Sequence, residues 1–99
     1  MGNKTIFSSA AVNDFAISYH WYENRSKGLG DQFINLIDLT IKLILLNPEG
    51  FPNKTGQYRE ATLKRFHYQI IYEYLKESQS IYILHIFHTK WHPKIKYIR

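Results

Sequence analysis

The side chains of this sequence that could do chemistry crowd into its second half. Arg59, Lys64, Arg65, His88, Lys90, His92, Tyr97 and Arg99 all lie beyond residue 58. Histidine moves protons near neutral pH. Lysine and arginine stabilise negative charge that builds on a phosphate, and tyrosine can stack on a base. They frame two alternating apolar runs, so a cationic groove on a small sheet would suit a polyphosphate or an acidic peptide. Each residue also has a plainer reading. Arg59 and Arg65 flank a strand, where arginine is commonly an edge charge. His88 stands at a strand end beside Thr89, where a structural hydrogen bond is as natural as proton transfer. His85 shares a strand face with Ile83 and Phe87 and reads as a core or interface histidine. Strand alternation puts His85 and His88 on opposite faces, and no carboxylate is near them in sequence. No metal or other cofactor is expected.

Charge follows the same division. Residues 1–51 hold four Lys/Arg and five Asp/Glu, whereas residues 52–99 hold nine and three, and no acid follows Glu77. The excess of +5 therefore sits on the C-terminal half. It points to a polyanionic or acidic partner there. Ninety-nine residues make one domain, spanning 1–99. A chain of this size buries somewhat over ~60% of its unfolded surface, enough for one modest core. With no cysteine there can be no disulfide, thiolate zinc site or thiol nucleophile. The first residues lack the apolar run of a signal peptide, and the stretch Ile41–Leu46 is too short to span a membrane. A cytoplasmic protein without membrane contact is expected.

Periodicity gives the elements that must position these side chains. Lys4–Ser8 reads as a short strand. Ser8 or Ser9 can cap a helix, and Val12, Phe15, Ala16, Tyr19 and Tyr22 recur at helical spacing to about Ser26. Lys27 to Gly30 breaks it. Leu29, Phe33, Leu36, Ile37, Thr40, Leu43 and Ile44 mark a second helix, stopped by Asn47-Pro48. So short a connection makes the two an antiparallel hairpin. Glu49–Gly56 reads as loop. Strands follow at Gln57–Lys64, Tyr68–Leu75 and Ile81–His88, with a turn at Lys76–Gln79. Tyr68, Ile70, Tyr72 and Tyr74 should share one face. The last strand, apolar on both faces, should be central. One of its faces would pack on the hairpin, and the C-terminal tail or a partner would cover the other. The fold class is α+β: an N-terminal strand and an antiparallel helix hairpin on a small, mainly antiparallel sheet.

That order resembles the RelE/ParE superfamily of type II toxins, also called plasmid stabilisation proteins. The matching pieces are Trp21-Tyr22-Glu23, Gly28-Leu29-Gly30-Asp31-Gln32-Phe33, Asn47-Pro48 and Arg59. They continue with Leu63-Lys64-Arg65-Phe66-His67-Tyr68-Gln69-Ile70-Ile71-Tyr72, then Ile86-Phe87-His88-Thr89, Pro93 and Arg99. The resemblance implies a toxin neutralised by a co-expressed antitoxin. An acidic antitoxin segment folding on the basic half suits the charge asymmetry, with Arg59, Arg65, Lys90, Trp91, Tyr97 and Arg99 as its contacts or those of the target. The superfamily has two branches. ParE-like members act on DNA gyrase without catalysis of their own. RelE-like members cleave mRNA on the ribosome, and in that reading Lys64, Arg65, His88 and His92 would be the catalytic set. The long hairpin, and a chain end without a His-Tyr terminus, place this sequence nearer ParE. A degenerate member without toxicity is a third reading.

Overall fold

The computed structural model describes residues 3–63 and 65–88. Five strands and two helices follow one another as β1 (Lys4–Phe7), α1 (Ser9–Arg25), α2 (Leu29–Leu46), β2 (Asn53–Thr55), β3 (Tyr58–Leu63), β4 (Tyr68–Leu75) and β5 (Ser80–His88). The sheet order is β1-β5-β4-β3-β2. β1 runs parallel to β5, and the other neighbours are antiparallel. The expected α+β class, the helix hairpin, the β3–β5 meander and the interior place of β5 are all present. The stretch read as loop between Glu49 and Gly56 instead contains β2, paired with β3 in an irregular register. Three residues flanked by glycine and proline carry no period-2 signal. They become a strand only because β3 offers an edge.

Each helix end is secured differently. Ser8 caps α1, its Oγ accepting from the Ala11 amide at 2.9 Å. The same hydroxyl donates to the Leu84 carbonyl at 2.6 Å, and the Ser8 amide donates to Ile83 O at 2.9 Å. One residue thus ends β1, starts α1 and ties both to β5. α2 has no side-chain cap of its own, because its N-cap is Gly28 with φ +86°. The Glu23 carboxylate supplies the acceptors, taking the Gly28 and Gly30 amides at 3.0 Å each. A carboxylate there also complements the positive end of the helix. A Cβ on Gly30 would lie 2.8 Å from the Tyr19 ring, so this position accepts only glycine without a shift.

The core lies between hairpin and sheet. Phe33, Ile37 and Ile44 from α2 meet Leu63, Tyr68, Ile70, Tyr72, Ile81, Ile83 and Ile86 from the sheet, all nearly solvent-free. Burying each such side chain contributes about 1.5–3 kcal/mol. The other sheet face holds a smaller cluster of Tyr58, Ile71 and Leu84 with Tyr82 packed against it. The tail expected to cover that face lies outside the described residues.

A bulge in β5 decides which side chains face inward. Ile71 opposes His85 and Tyr72 opposes Ile83, so Leu84 is the extra residue. Strict alternation fails there. Ile81 and Ile83 point to the main core, Leu84 to the outer cluster, and Ile86 to the main core again. His85 therefore does not share a face with Ile83, as alternation predicts. It pairs across from Ile71 instead, and its Nδ1 lies 3.1 Å from Asp14 Oδ2 on α1. The same carboxylate oxygen accepts the Ile86 amide at 3.2 Å. β1 ends opposite Ile83, so Ser8 and Asp14 satisfy β5 edge groups just beyond it.

Candidate functional site

The β3–β4 turn builds one end of the sheet. Leu63 pairs with Tyr68, and Phe66 and His67 between them hold φ of +71° and +55°. Side chains larger than glycine resist this region at about 1–2 kcal/mol per residue. Packing holds them there. The Phe66 ring stands edge-on to Tyr22 at 4.8 Å and to Phe33 at 5.6 Å. The Tyr22 hydroxyl donates to the Phe66 carbonyl at 3.3 Å. With Phe66 anchored in the hairpin, Arg65 and His67 on either side of it are exposed.

Arg65 is pre-positioned. Its guanidinium carbon lies 4.8 Å from the Phe66 ring centroid, and one terminal nitrogen donates to Gln32 Oε1 at 2.5 Å. A stacked, tethered guanidinium loses little further freedom when it grips a carboxylate or phosphate. A second stacked arginine, Arg25 over Trp21 at 4.1 Å, lies at the end of α1. The rings between them touch in series, Trp21 on Tyr22 at 4.9 Å and Tyr22 on Phe66.

His88 is different. It is only 7% exposed, pairs across from Tyr68 and stands edge-on to that ring at 5.2 Å. The exposed His67 ring is 6.1 Å away. Tyr68 in turn shares a 2.5 Å hydrogen bond with Ser18 of α1. Burial pushes its hydroxyl up to about 12, against the pull of the Ser18 bond. His88 is thus packed against Tyr68 at the strand end.

Arg59 is placed elsewhere. It lies across from Tyr72, four residues before the end of β3 and hence about 13 Å of strand away from the turn that carries Arg65. Its guanidinium donates to the carbonyls of Phe51 at 2.7 Å and Glu49 at 3.2 Å. Tyr72 donates to the Pro48 carbonyl at 2.6 Å. This cross-strand pair clasps the connection from α2 to β2. Burial pushes the Tyr72 hydroxyl up to about 12, with Arg59 opposing.

Of the candidate residues named from the sequence, the structure thus brings Arg65 and His88 to one sheet end and sets Arg59 apart. Lys64, Lys90, Trp91, His92, Tyr97 and Arg99 lie outside the described residues. Sequence reasoning missed His67, Asp14 and the Arg25–Trp21 stack. The i, i+4 spacing of Trp21 and Arg25 on a helix was an available signal. The Asp14–His85 contact spans 71 residues and left no local trace. Among the described residues no three His, Asp or Glu side chains gather as a metal site, and no helix is long and apolar enough to cross a membrane.

A helix hairpin packed on a mixed sheet is a fold that this chain shares with solved toxin structures. The chain superposes on a structure of the chromosomal ParDE system from P. aeruginosa with a TM-score of 0.70 and 20% identity, covering 87% of this chain and 95% of that one. An E. coli RelE toxin mutant in the free state gives 0.62 and 10%, covering 94% and 90%. Isolated E. coli RelE gives 0.59 and 10%, covering 87% and 83%. At these identities the likeness shows the fold alone. No curated protein sequence matches the chain. The model of the ParE toxin of the type II toxin–antitoxin system parDE matches residues 5–92, and the chain belongs to that family.

Proposed function

We propose that this protein inhibits growth by binding DNA gyrase in the cytoplasm, without catalysis of its own, and that a cognate acidic antitoxin neutralises it. The match to the ParE family over residues 5–92 carries this reading. The helices of 17 and 18 residues agree with it. So does the burial of His88, which keeps a would-be proton carrier away from a substrate. The antitoxin would use the basic half, through Arg59, Arg65, Lys90, Trp91, Tyr97 and Arg99. Arg65, stacked and exposed, is the best-prepared contact for a carboxylate. Expression of the chain alone should arrest growth, and the purified protein should block supercoiling by purified gyrase. Normal supercoiling at doses that stop growth would overturn the target.

One observation favours a second reading, ribosome-dependent mRNA cleavage: Arg65, His67 and His88 lie at the same sheet end. That activity would leave codon-phased cuts in primer extension on translated mRNA. An Arg65→Ala/His88→Ala variant that folds, by circular dichroism, and stays fully toxic would eliminate it.

A further inference from the structure

Two guanidiniums near this sheet end have no acid to answer them. Arg25 and Arg65 are both exposed, and neither forms an ion pair among the described residues. Each is nevertheless held in place. Arg25 lies 4.1 Å over Trp21 and Arg65 4.8 Å over Phe66. Arg65 is also tethered through one terminal nitrogen to Gln32. The rings beneath join the two, Trp21 standing 4.9 Å from Tyr22 and Tyr22 4.8 Å from Phe66. Those four steps place the guanidiniums no more than about 19 Å apart. The acids of the hairpin are engaged elsewhere. Glu23 lies roughly 160° around α1 from Arg25 and holds the Gly28 and Gly30 amides. Asp14 holds His85 and the Ile86 amide, Asp38 pairs with Lys42, and Asp31 acts on the Tyr19 hydroxyl. Seating Arg65 on Phe66 also strains the backbone, since Phe66 and His67 both hold positive φ, where glycine is at ease. Such strain concentrates at sites that bind.

We propose that Arg25 and Arg65 form a two-point clamp for an acidic protein segment, one carboxylate on each guanidinium. This rests on the acidic antitoxin of the proposed function and adds to it a second anchor, Arg25 on Trp21, at the other end of the ring series. Chemistry selects the partner. A planar guanidinium takes a carboxylate through two parallel hydrogen bonds, and one already stacked gives up little freedom in doing so. A nucleic acid strand binds best where a free ring offers its face to a base. The rings here are taken, Trp21 by Arg25 and Tyr22, and Phe66 by Arg65, Tyr22 and Phe33. At its widest the gap is spanned by about six residues of extended chain, so two acids within one short segment reach both anchors.

The test needs only the purified full chain and a synthetic oligoglutamate of about twelve residues, twice the span required. The Nε–Hε nuclear magnetic resonance signals of Arg25 and Arg65, assigned through single Arg→Lys variants, are followed during titration. Both should move and saturate together with one Kd. Arg25→Ala should raise the Kd read at Arg65 by about threefold or more, and Arg65→Ala the Kd read at Arg25, because two linked contacts reinforce each other. Arg25→Lys keeps the charge without the planar fork and should recover less than half of the loss. Both positions are exposed, so circular dichroism of these variants should match the parent. Gyrase takes no part in the titration, so failure of the clamp and failure of the proposed target are read separately. An Arg25 signal that stays put while Arg65 saturates, or an Arg25→Ala variant with the parent Kd, overturns the proposal. Full recovery by Arg25→Lys overturns it in favour of diffuse charge attraction. A single-stranded oligothymidylate that saturates both signals at lower concentration than oligoglutamate assigns the surface to nucleic acid and overturns it as well.

Discussion

Alkaline pH should unfold this protein through two tyrosines, and the size of the effect follows from their surroundings. Tyr68 and Tyr72 are buried with hydroxyls raised from 10.0 to about 12. Below pH 10 both are neutral whether the chain is folded or not, and they add no pH dependence. Between about pH 10 and 12 the unfolded chain loses these protons while the folded chain keeps them, so stability falls as pH rises. A hydroxyl whose pKa stands one higher in the folded chain than in the unfolded one contributes about 1.4 kcal/mol. Two hydroxyls, each raised by about two, set a ceiling of ~5 kcal/mol, and about half survives if water and side-chain relaxation screen the rest. Even ~2–3 kcal/mol is a large share of the ~5–15 kcal/mol that holds a small domain. Burial raises Tyr22, and Asp31 foremost raises Tyr19, in the same direction. Urea unfolding followed by circular dichroism, repeated from neutral pH upward, measures the slope. Tyrosinate absorbance of the native protein reports whether these hydroxyls ionise late. A Tyr68→Phe/Tyr72→Phe variant should start about 1–3 kcal/mol less stable, having lost two hydrogen bonds, but should decline less steeply above pH 10. A wild-type slope that is flat there, or equally steep in the Phe variant, would refute the reasoning.

Three further outcomes test the joints of the fold. Glu23→Ala should lower stability by about 1–2 kcal/mol, since two amides at the start of α2 lose their acceptor; a Tm unchanged within error contradicts this capping role. Ser8→Ala removes both the cap of α1 and the bond to Leu84, and about 1–2 kcal/mol should be lost, with faster amide exchange along the β5 edge. Arg59→Ala should release the Glu49–Phe51 connection, seen as proteolytic nicking near Pro52, at a cost of about 1–2 kcal/mol; an unaltered digestion pattern combined with lost antitoxin binding would instead make Arg59 a contact residue alone.

The sequence determined most of the framework because its signals are local. Helical spacing in α1 and α2, the Asn47-Pro48 stop and the alternation in β4 depend on neighbours a few residues apart, and the fold follows them. Resemblance to the family was legible for the same reason, as ordered short motifs over nearly the whole chain. Tertiary structure decided what depends on distant partners. β2 exists only because β3 has an edge to offer. The bulge at Leu84 turns His85 away from Ile83 and onto Asp14, which no alternation rule foresees. Phe66, locked between Tyr22 and Phe33, fixes a strained turn that displays Arg65 and His67. Burial sorts the basic residues too: Arg65 stands ready at the surface, whereas His88 is folded in against Tyr68. Residue type and order specify which elements form. Which side chains remain at the surface to bind or react depends on packing across the chain, and no local pattern encodes that.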